Sequence, residues 1–250
     1  MENNSTFAVL LARQEGRDPV ALAKALAAAR KTPLQDQMVF AKNCWGILAE
    51  NLTRVEADAM AQGLKQTGVE AIVCPTASLA ALPPAETAKT FDSLAAAKPV
   101  LIAAAAIDIT TTTTRLVKEG PSAGQKIASM GLMMATGLPI KIGGKERTVE
   151  KKQTHSDLAF YLDVIYREPL RRLRVDALHF DYSFLKERKL YQLMGNFKLL
   201  VGDVAKAAPE AVQNHGTKVL LEGKPIQTMG YHSLADLERE SRWLLTLSLI

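Results

Sequence analysis

The segment Gly120-Pro121-Ser122-Ala123-Gly124 has the clearest catalytic pattern in the chain. It matches G-x-S-x-G, in which a serine on a tight turn between a strand and a helix acts as a nucleophile. Such a serine needs a base that accepts its proton and backbone N–H groups that stabilise the oxyanion. Ser122 is therefore the candidate catalytic residue. Its partners would follow later in the chain, with Asp163, Asp176 or Asp203 as the acid and His215 or His232 as the base.

Three features around Ser122 argue against a hydrolase. The preceding strand is polar, the sequence has no HGGG-like stretch, and too few strand-helix units come before the serine. Ser122 and Gln125 also have the spacing of a capping box, which begins a helix without any catalysis. We therefore expect no catalytic residue, and serine hydrolysis at Ser122 is the alternative.

Six basic residues flank a predicted strand and are the candidate binding residues. They are Arg171, Arg172, Arg174, Lys186, Arg188 and Lys189. Together they could bind phosphate or an acidic protein surface, whereas the simpler interpretation is solvated ends of a strand. Binding of nucleic acid is a second alternative function, but an aromatic content of 6% provides no stacking platform for bases.

The composition gives no indication of a metal or a cofactor. Cys44 and Cys74 lack the paired spacing of a zinc site, so we expect two buried thiols. No second ligand recurs at metal spacing around His179. A formal net charge of +5, from 31 basic and 26 acidic residues, permits an acidic partner without requiring one.

The hydropathy pattern predicts a cytoplasmic protein without a membrane span. The polar start Met1-Glu2-Asn3-Asn4-Ser5-Thr6 lacks the features of a signal peptide. The longest apolar run, 127–142, is interrupted by Ser129, Thr136, Pro139 and Lys141. It is also shorter than the roughly 20 residues that cross a bilayer.

The first 76 residues contain a regular series of strand and helix signals. The pattern predicts strands at 7–11, 44–50 and 69–74 and helices beginning near Asp18, Thr32 and Thr53. Thr53 and Glu56 have the spacing of a capping box, and Gly68 is typical of a helix end. The order is therefore βααβαβ, a two-layer module with helices on one face of a sheet.

This order resembles the fold shared by the ClpS protease adaptors and the C-terminal domain of ribosomal protein L7/L12. The resemblance implies a docking domain over residues 1–76. ClpS adaptors recognise amino-terminal residues with an Asn-Asp pair after the first strand and a histidine on the second helix. Here Ala12-Arg13-Gln14 and Phe40-Ala41-Lys42 lie at those positions, so we do not expect that specificity.

Residues 77–89 are rich in Ala and Pro, which predicts a linker before a second α+β domain over 90–250. Within it the sequence predicts strands at 110–114 and 217–221, a helix that begins at Thr154 or Asp157 and is ended by Pro169, and a final helix from Ser233. The inward-facing residues change from odd to even numbers near 177, which predicts a β-bulge or a sharp bend. Strands followed by a late helix resemble a PH domain.

These patterns favour a non-enzymatic adaptor or docking protein of two α+β domains. We expect its partner to be another protein. The apolar segment 243–250 should pack on the body of the protein or on a second copy, so a homo-oligomer is an alternative arrangement.

Overall fold

The computed structural model describes residues 5–14, 18–95, 97–119 and 147–250. The chain is an α+β protein with two sheets. It divides into two compact units, one formed by Met1–Ile107 and Leu158–Ile250 and the other by Asp108–Asp157. Within the described residues, no helix is long and apolar enough to cross a membrane.

The N-terminal region has the predicted βααβαβ order. Its elements are β1 (Phe7–Leu11), α1 (Pro19–Arg30), α2 (Leu34–Asn43), β2 (Ile47–Leu52), α3 (Arg54–Gln66) and β3 (Ala71–Pro75). The sheet order is β2-β1-β3, and β1 is antiparallel to both neighbours. Ala8 to Leu11 in the central strand are completely buried because elements cover both faces of it.

The remaining elements form a second sheet with flanking helices. They are β4 (Ala85–Thr87), α4 (Phe91–Ala95), β5 (Pro99–Glu119), β6 (Arg147–Tyr166), β7 (Arg171–Asp176), α5 (Leu193–Ala207), β8 (Val212–Gln213), α6 (His215–Glu222) and α7 (Leu234–Leu247). The sheet order is β4-β7-β6-β5-β8. The ends of β5 and β6 that belong to the first unit contribute buried residues to its core.

Local capping signals explain where three helices begin. Asp18 accepts a hydrogen bond from the Val20 N–H at 2.9 Å, with Pro19 in the first turn of α1. The capping box predicted at Thr53 is confirmed, since Thr53 and Glu56 each bind the other's backbone N–H. The same arrangement begins α7 at Ser233.

The helix predicted to begin at Thr154 or Asp157 and to be ended by Pro169 is wrong, because the segment up to Tyr166 belongs to strand β6. Phe160, Leu162 and Val164 are buried at two-residue spacing, which fits a strand as well as their neighbours fit a helical stripe. Antiparallel pairing of Tyr161–Tyr166 with β7 selects the strand over the helix. Backbone pairing with a distant strand is not visible in the local sequence.

The strand predicted at 217–221 is also wrong, because the structure has helix α6 there. The Asn214 side chain accepts from the Thr217 N–H at 2.8 Å and caps the helix. Gly223 ends it in the left-handed conformation, with φ of 70°. Both signals stand in the sequence at the spacing of a short helix.

Of the β-bulge or sharp bend predicted near 177, the structure has the bend, because strand β7 ends at Asp176 and a turn follows. The Asp176 carboxylate accepts from the Leu178 N–H at 3.0 Å and turns the chain out of the sheet. Leu178 is consequently exposed. The change from odd-numbered to even-numbered inward-facing residues therefore marks the end of strand β7.

The segment 77–89, predicted to be a linker, contains buried residues and a short strand. Leu79, Ala80 and Ala88 are buried, and β4 pairs in parallel with β7. The residues on both sides of this segment belong to one compact unit. Independent folding of residues 1–76 stays a prediction.

Candidate binding cleft

A cavity of about 510 Å³ lies where α2 approaches the N-terminal ends of α6 and α7. Its lining includes Val39, Lys42, Trp45, His215, His232 and Glu240. The cavity therefore receives side chains from the N-terminal module and from the last third of the chain. Its size is in the range of sites that hold a small molecule or a few residues of a peptide.

Trp45 lines the cavity and forms an aromatic pair with Tyr231. The Trp45 ring stacks on Tyr231, with ring centroids 4.4 Å apart and an interplanar angle of 11°. Trp45 has φ of 47° and Gly46 has φ of 92°, so two consecutive residues are left-handed. Such backbone is costly for a bulky residue and is enriched at functional sites. At Gly46 a Cβ would lie 1.9 Å from the Trp243 ring, so only glycine fits.

A buried carboxylate lies beneath this aromatic pair. Glu240 is completely buried and accepts hydrogen bonds from the Tyr231 hydroxyl, the Asn214 amide at 3.2 Å and the His215 N–H at 3.3 Å. The three donors are neutral, and one of them belongs to the N-terminus of α6, where negative charge is favourable. We call Asn214, Tyr231 and Glu240 the floor cluster.

The floor cluster is anchored to the second sheet. Asn214 accepts from the Ala104 N–H at 3.0 Å and donates to the Ala104 carbonyl at 3.0 Å, so its side chain pairs with β5 as a strand residue would. Gly216 permits this approach, because a Cβ there would lie 2.0 Å from the Ala104 oxygen. The floor is therefore rigidly connected to the protein core.

The rim of the cavity combines apolar and basic groups. Val39 on α2 is 66% exposed although it lies beside the cavity. Lys42 is exposed and makes no ion pair with any described residue. The His215 ring Nε2 lies 2.9 Å from the Thr228 carbonyl, and His232 is exposed. Val39, Lys42 and His232 are therefore available to a partner.

A second cavity of about 460 Å³ adjoins the first, since Asn43 lines both. Its lining includes residues of β2 together with Arg239 and Arg242 of α7. Arg242 binds the Glu50 carboxylate at 3.0 Å and the Ala80 carbonyl at 3.3 Å. The nearest Arg239 nitrogen lies 3.8 Å from the Asp236 carboxylate, at the outer limit of an ion pair.

The six predicted binding residues do not form one free basic patch. Arg171 pairs with Glu86 and Arg188 with Asp203, each at 2.7 Å. Arg172 and Arg174 both bind the Asp163 carboxylate and also reach Glu238. Lys186 and Lys189 remain exposed. Carboxylates thus already neutralise the four arginines.

Asp163 is the centre of the arginine cluster, which we define as Asp163, Arg172, Arg174 and Glu238. Its side chain is completely buried, and Arg172 is nearly so. Burial raises the pKa of Asp163 to about 6, although the neighbouring Arg174 guanidinium acts in the opposite direction. The cluster connects β6 and β7 to α7.

Ser122, the candidate nucleophile, lies outside the described residues. The aspartates proposed as its partners contact other groups: Asp163 and Asp203 bind arginines, and Asp176 binds the His179 ring at 2.8 Å. Within the described residues, no group of three or more His, Cys, Asp or Glu side chains could hold a metal.

Reasoning from the sequence missed the cleft. Its floor depends on Trp45-Gly46, Asn214 and Glu240, which are distant in the chain. The Asn214-His215-Gly216 helix start was a usable signal, whereas nothing local indicates that Glu240 is buried.

No family model, curated protein or solved structure matches this chain. The resemblance of residues 1–76 to ClpS and L7/L12, and that of 90–250 to a PH domain, therefore stay predictions.

Proposed function

We propose that the chain is a non-enzymatic docking protein that binds a segment of another protein in the cleft beside α2. The main support is the cavity of about 510 Å³ with a floor formed by buried hydrogen bonds within the chain. A floor that is already ordered reduces the entropy lost on binding. The predicted adaptor role and this geometry are compatible.

The rim supports a peptide rather than a purely polar ligand. Val39 is an exposed apolar side chain at the edge of the cavity, and Pro19 is exposed beside it. Covering apolar surface contributes roughly 25 cal/mol per Å². Polar groups such as Lys42 and Asn43 would then fix the orientation of the bound segment.

The polar groups of the floor are arranged to stabilise the fold rather than to catalyse a reaction. Glu240 is inaccessible to solvent and accepts three hydrogen bonds from neighbouring groups. His215 directs one ring nitrogen to the Thr228 carbonyl. A general base must instead be within reach of the proton that it removes from a substrate. This arrangement favours binding over catalysis.

A random peptide library selected on the immobilised full-length chain tests the proposal. We expect enriched peptides whose affinity falls at least about tenfold for Val39→Glu, because this change removes apolar contact area at the rim. Val55→Glu is the matched control, since Val55 is 79% exposed on α3 and lines neither cavity. Both variants should retain the wild-type circular dichroism spectrum.

The proposal is wrong if the library yields no peptide that binds the folded protein. It is equally wrong if Val39→Glu and Val55→Glu weaken the enriched peptides to the same extent.

A further inference from the structure

The two adjoining cavities indicate the shape of the bound segment. Asn43 lines both, so the cavities meet at the C-terminal end of α2. Their combined lining includes residues of α2, β2 and α7. An extended segment that passes Asn43 would occupy both.

The charges along these cavities are not balanced. The charged lining residues other than the histidines are Lys42, Arg239, Arg242, Glu50 and Glu240. Both carboxylates are already engaged, Glu50 by Arg242 and Glu240 by the floor cluster. A ligand therefore meets cations whose charge the lining does not fully compensate.

Two of these cations remain available to a ligand. Lys42 has no ion pair with a described residue, and its position on the rim is exposed. The Arg239 side chain is 59% exposed and is 3.8 Å from its nearest carboxylate, Asp236. The Asp236 carboxylate already accepts from the backbone N–H groups of His232 and Ser233, so Arg239 can exchange partners at low cost.

We infer that the occupant is an acidic, extended segment of a partner protein, and this inference rests on the proposed docking function. Its carboxylates pair with Lys42 in the first cavity and with Arg239 in the second. An apolar side chain of the segment covers Val39 at the rim of the first cavity. Charge complementarity of this kind speeds association and excludes basic segments.

The aromatic side chains of the cavities favour a polypeptide over a nucleic acid. Trp45 and Tyr231 are buried and stack on each other, so neither presents a ring face to a base. The Arg30 guanidinium covers the Phe40 ring at 4.6 Å from its centroid. Single-stranded nucleic acids bind largely through exposed aromatic faces and a cationic groove.

The same random peptide library separates this inference from the proposed function. We expect the peptides that depend on Val39 to be enriched in Asp and Glu. Replacing those acids by Asn and Gln should weaken binding at least about tenfold. Lys42→Glu and Arg239→Glu should each weaken the acidic peptides by about the same factor.

Lys65→Glu on α3 is the matched control, because it changes the net charge equally and Lys65 lines neither cavity. It should leave the affinity unchanged. Enriched peptides that depend on Val39 but carry no excess of acids would overturn the inference and leave the docking function intact. Absence of any Val39-dependent peptide, or binding of single-stranded DNA that Lys42→Glu abolishes, would overturn both.

Discussion

Helix α7 joins two buried polar clusters that balance their charges differently. Glu240 belongs to the floor cluster, where the donors from Asn214, Tyr231 and His215 are neutral. Glu238 belongs to the arginine cluster, where two carboxylates face two guanidiniums. Two residues along a helix turn the side chain by about 200°, so the clusters lie on opposite faces of α7.

The difference separates a structural cluster from one that borders the proposed binding site. In the arginine cluster the charges compensate each other within the protein, and the result is a fixed contact between α7 and the second sheet. Beside the floor cluster a cavity remains, and its rim carries Lys42, which makes no ion pair with a described residue. Arg172 and Arg174, two of the six residues predicted to bind a partner, therefore belong to this structural contact.

Asp163→Ala should have the largest effect on stability. The change leaves the buried Arg172 without its closest carboxylate, and removing one partner of a buried ion pair lowers the free energy of unfolding by about 3–5 kcal/mol. Urea denaturation measures it. Asp58→Ala removes an exposed partner of Arg54 and should change little. If both variants lose the same free energy of unfolding, the buried arginine cluster stabilises the chain no more than an exposed ion pair does.

The pH dependence of stability should reflect Asp163. Its pKa is about 6 in the folded chain because of burial, against 3.8 when exposed. The folded state therefore binds a proton in the interval where the unfolded state does not, and the resulting stabilisation is complete below about pH 4 and lost as the pH rises through about 6. Its size is on the order of 3 kcal/mol.

Urea denaturation of the wild type and Asp163→Asn over this pH range tests that effect. The unfolding free energy of the wild type should rise relative to the variant as the pH falls. Parallel pH profiles would contradict the assignment of the titration to Asp163.

Glu240→Gln should destabilise the chain less than Asp163→Ala does. The new amide group places N–H donors where the Tyr231 hydroxyl and the His215 N–H already donate, and one unsatisfied buried polar group costs about 1–3 kcal/mol. The same urea measurement gives the difference. A loss as large as that of Asp163→Ala would remove the distinction between the two clusters.

The smallest expected effect is at Ser122. A docking protein should not react with a fluorophosphonate probe, so we expect no labelling of the native chain. Labelling that disappears in Ser122→Ala, with labelling retained in Ser129→Ala as the matched control, would replace docking by serine hydrolysis.

The first sheet could be predicted from sequence because its signals are local. The Thr53 capping box and the Asp18-Pro19 start act within one helical turn and do not depend on distant residues. Strand β6 could not be predicted in this way. Its apolar residues fit two periodicities, and pairing with β7 selects the strand.

The candidate site was not predictable for a related reason. The Trp45 contact with Tyr231 and the Glu240 contact with Asn214 join residues that only the tertiary fold brings together. The sequence shows which residues are basic, whereas pairing in the folded chain decides which of them are available. Arg172 and Lys42 look equally available in the sequence, yet one is buried in an ion pair and the other is exposed.

Hydrogen exchange of the full-length chain, with and without the tightest peptide from the library, tests the central claim most directly. We expect added protection in the segment 226–233 beside the cavity and none in the loop 167–170 or in 183–190 near the paired arginines. Protection confined to 183–190, with 226–233 unchanged, would place the docking surface on the arginine side and contradict the account.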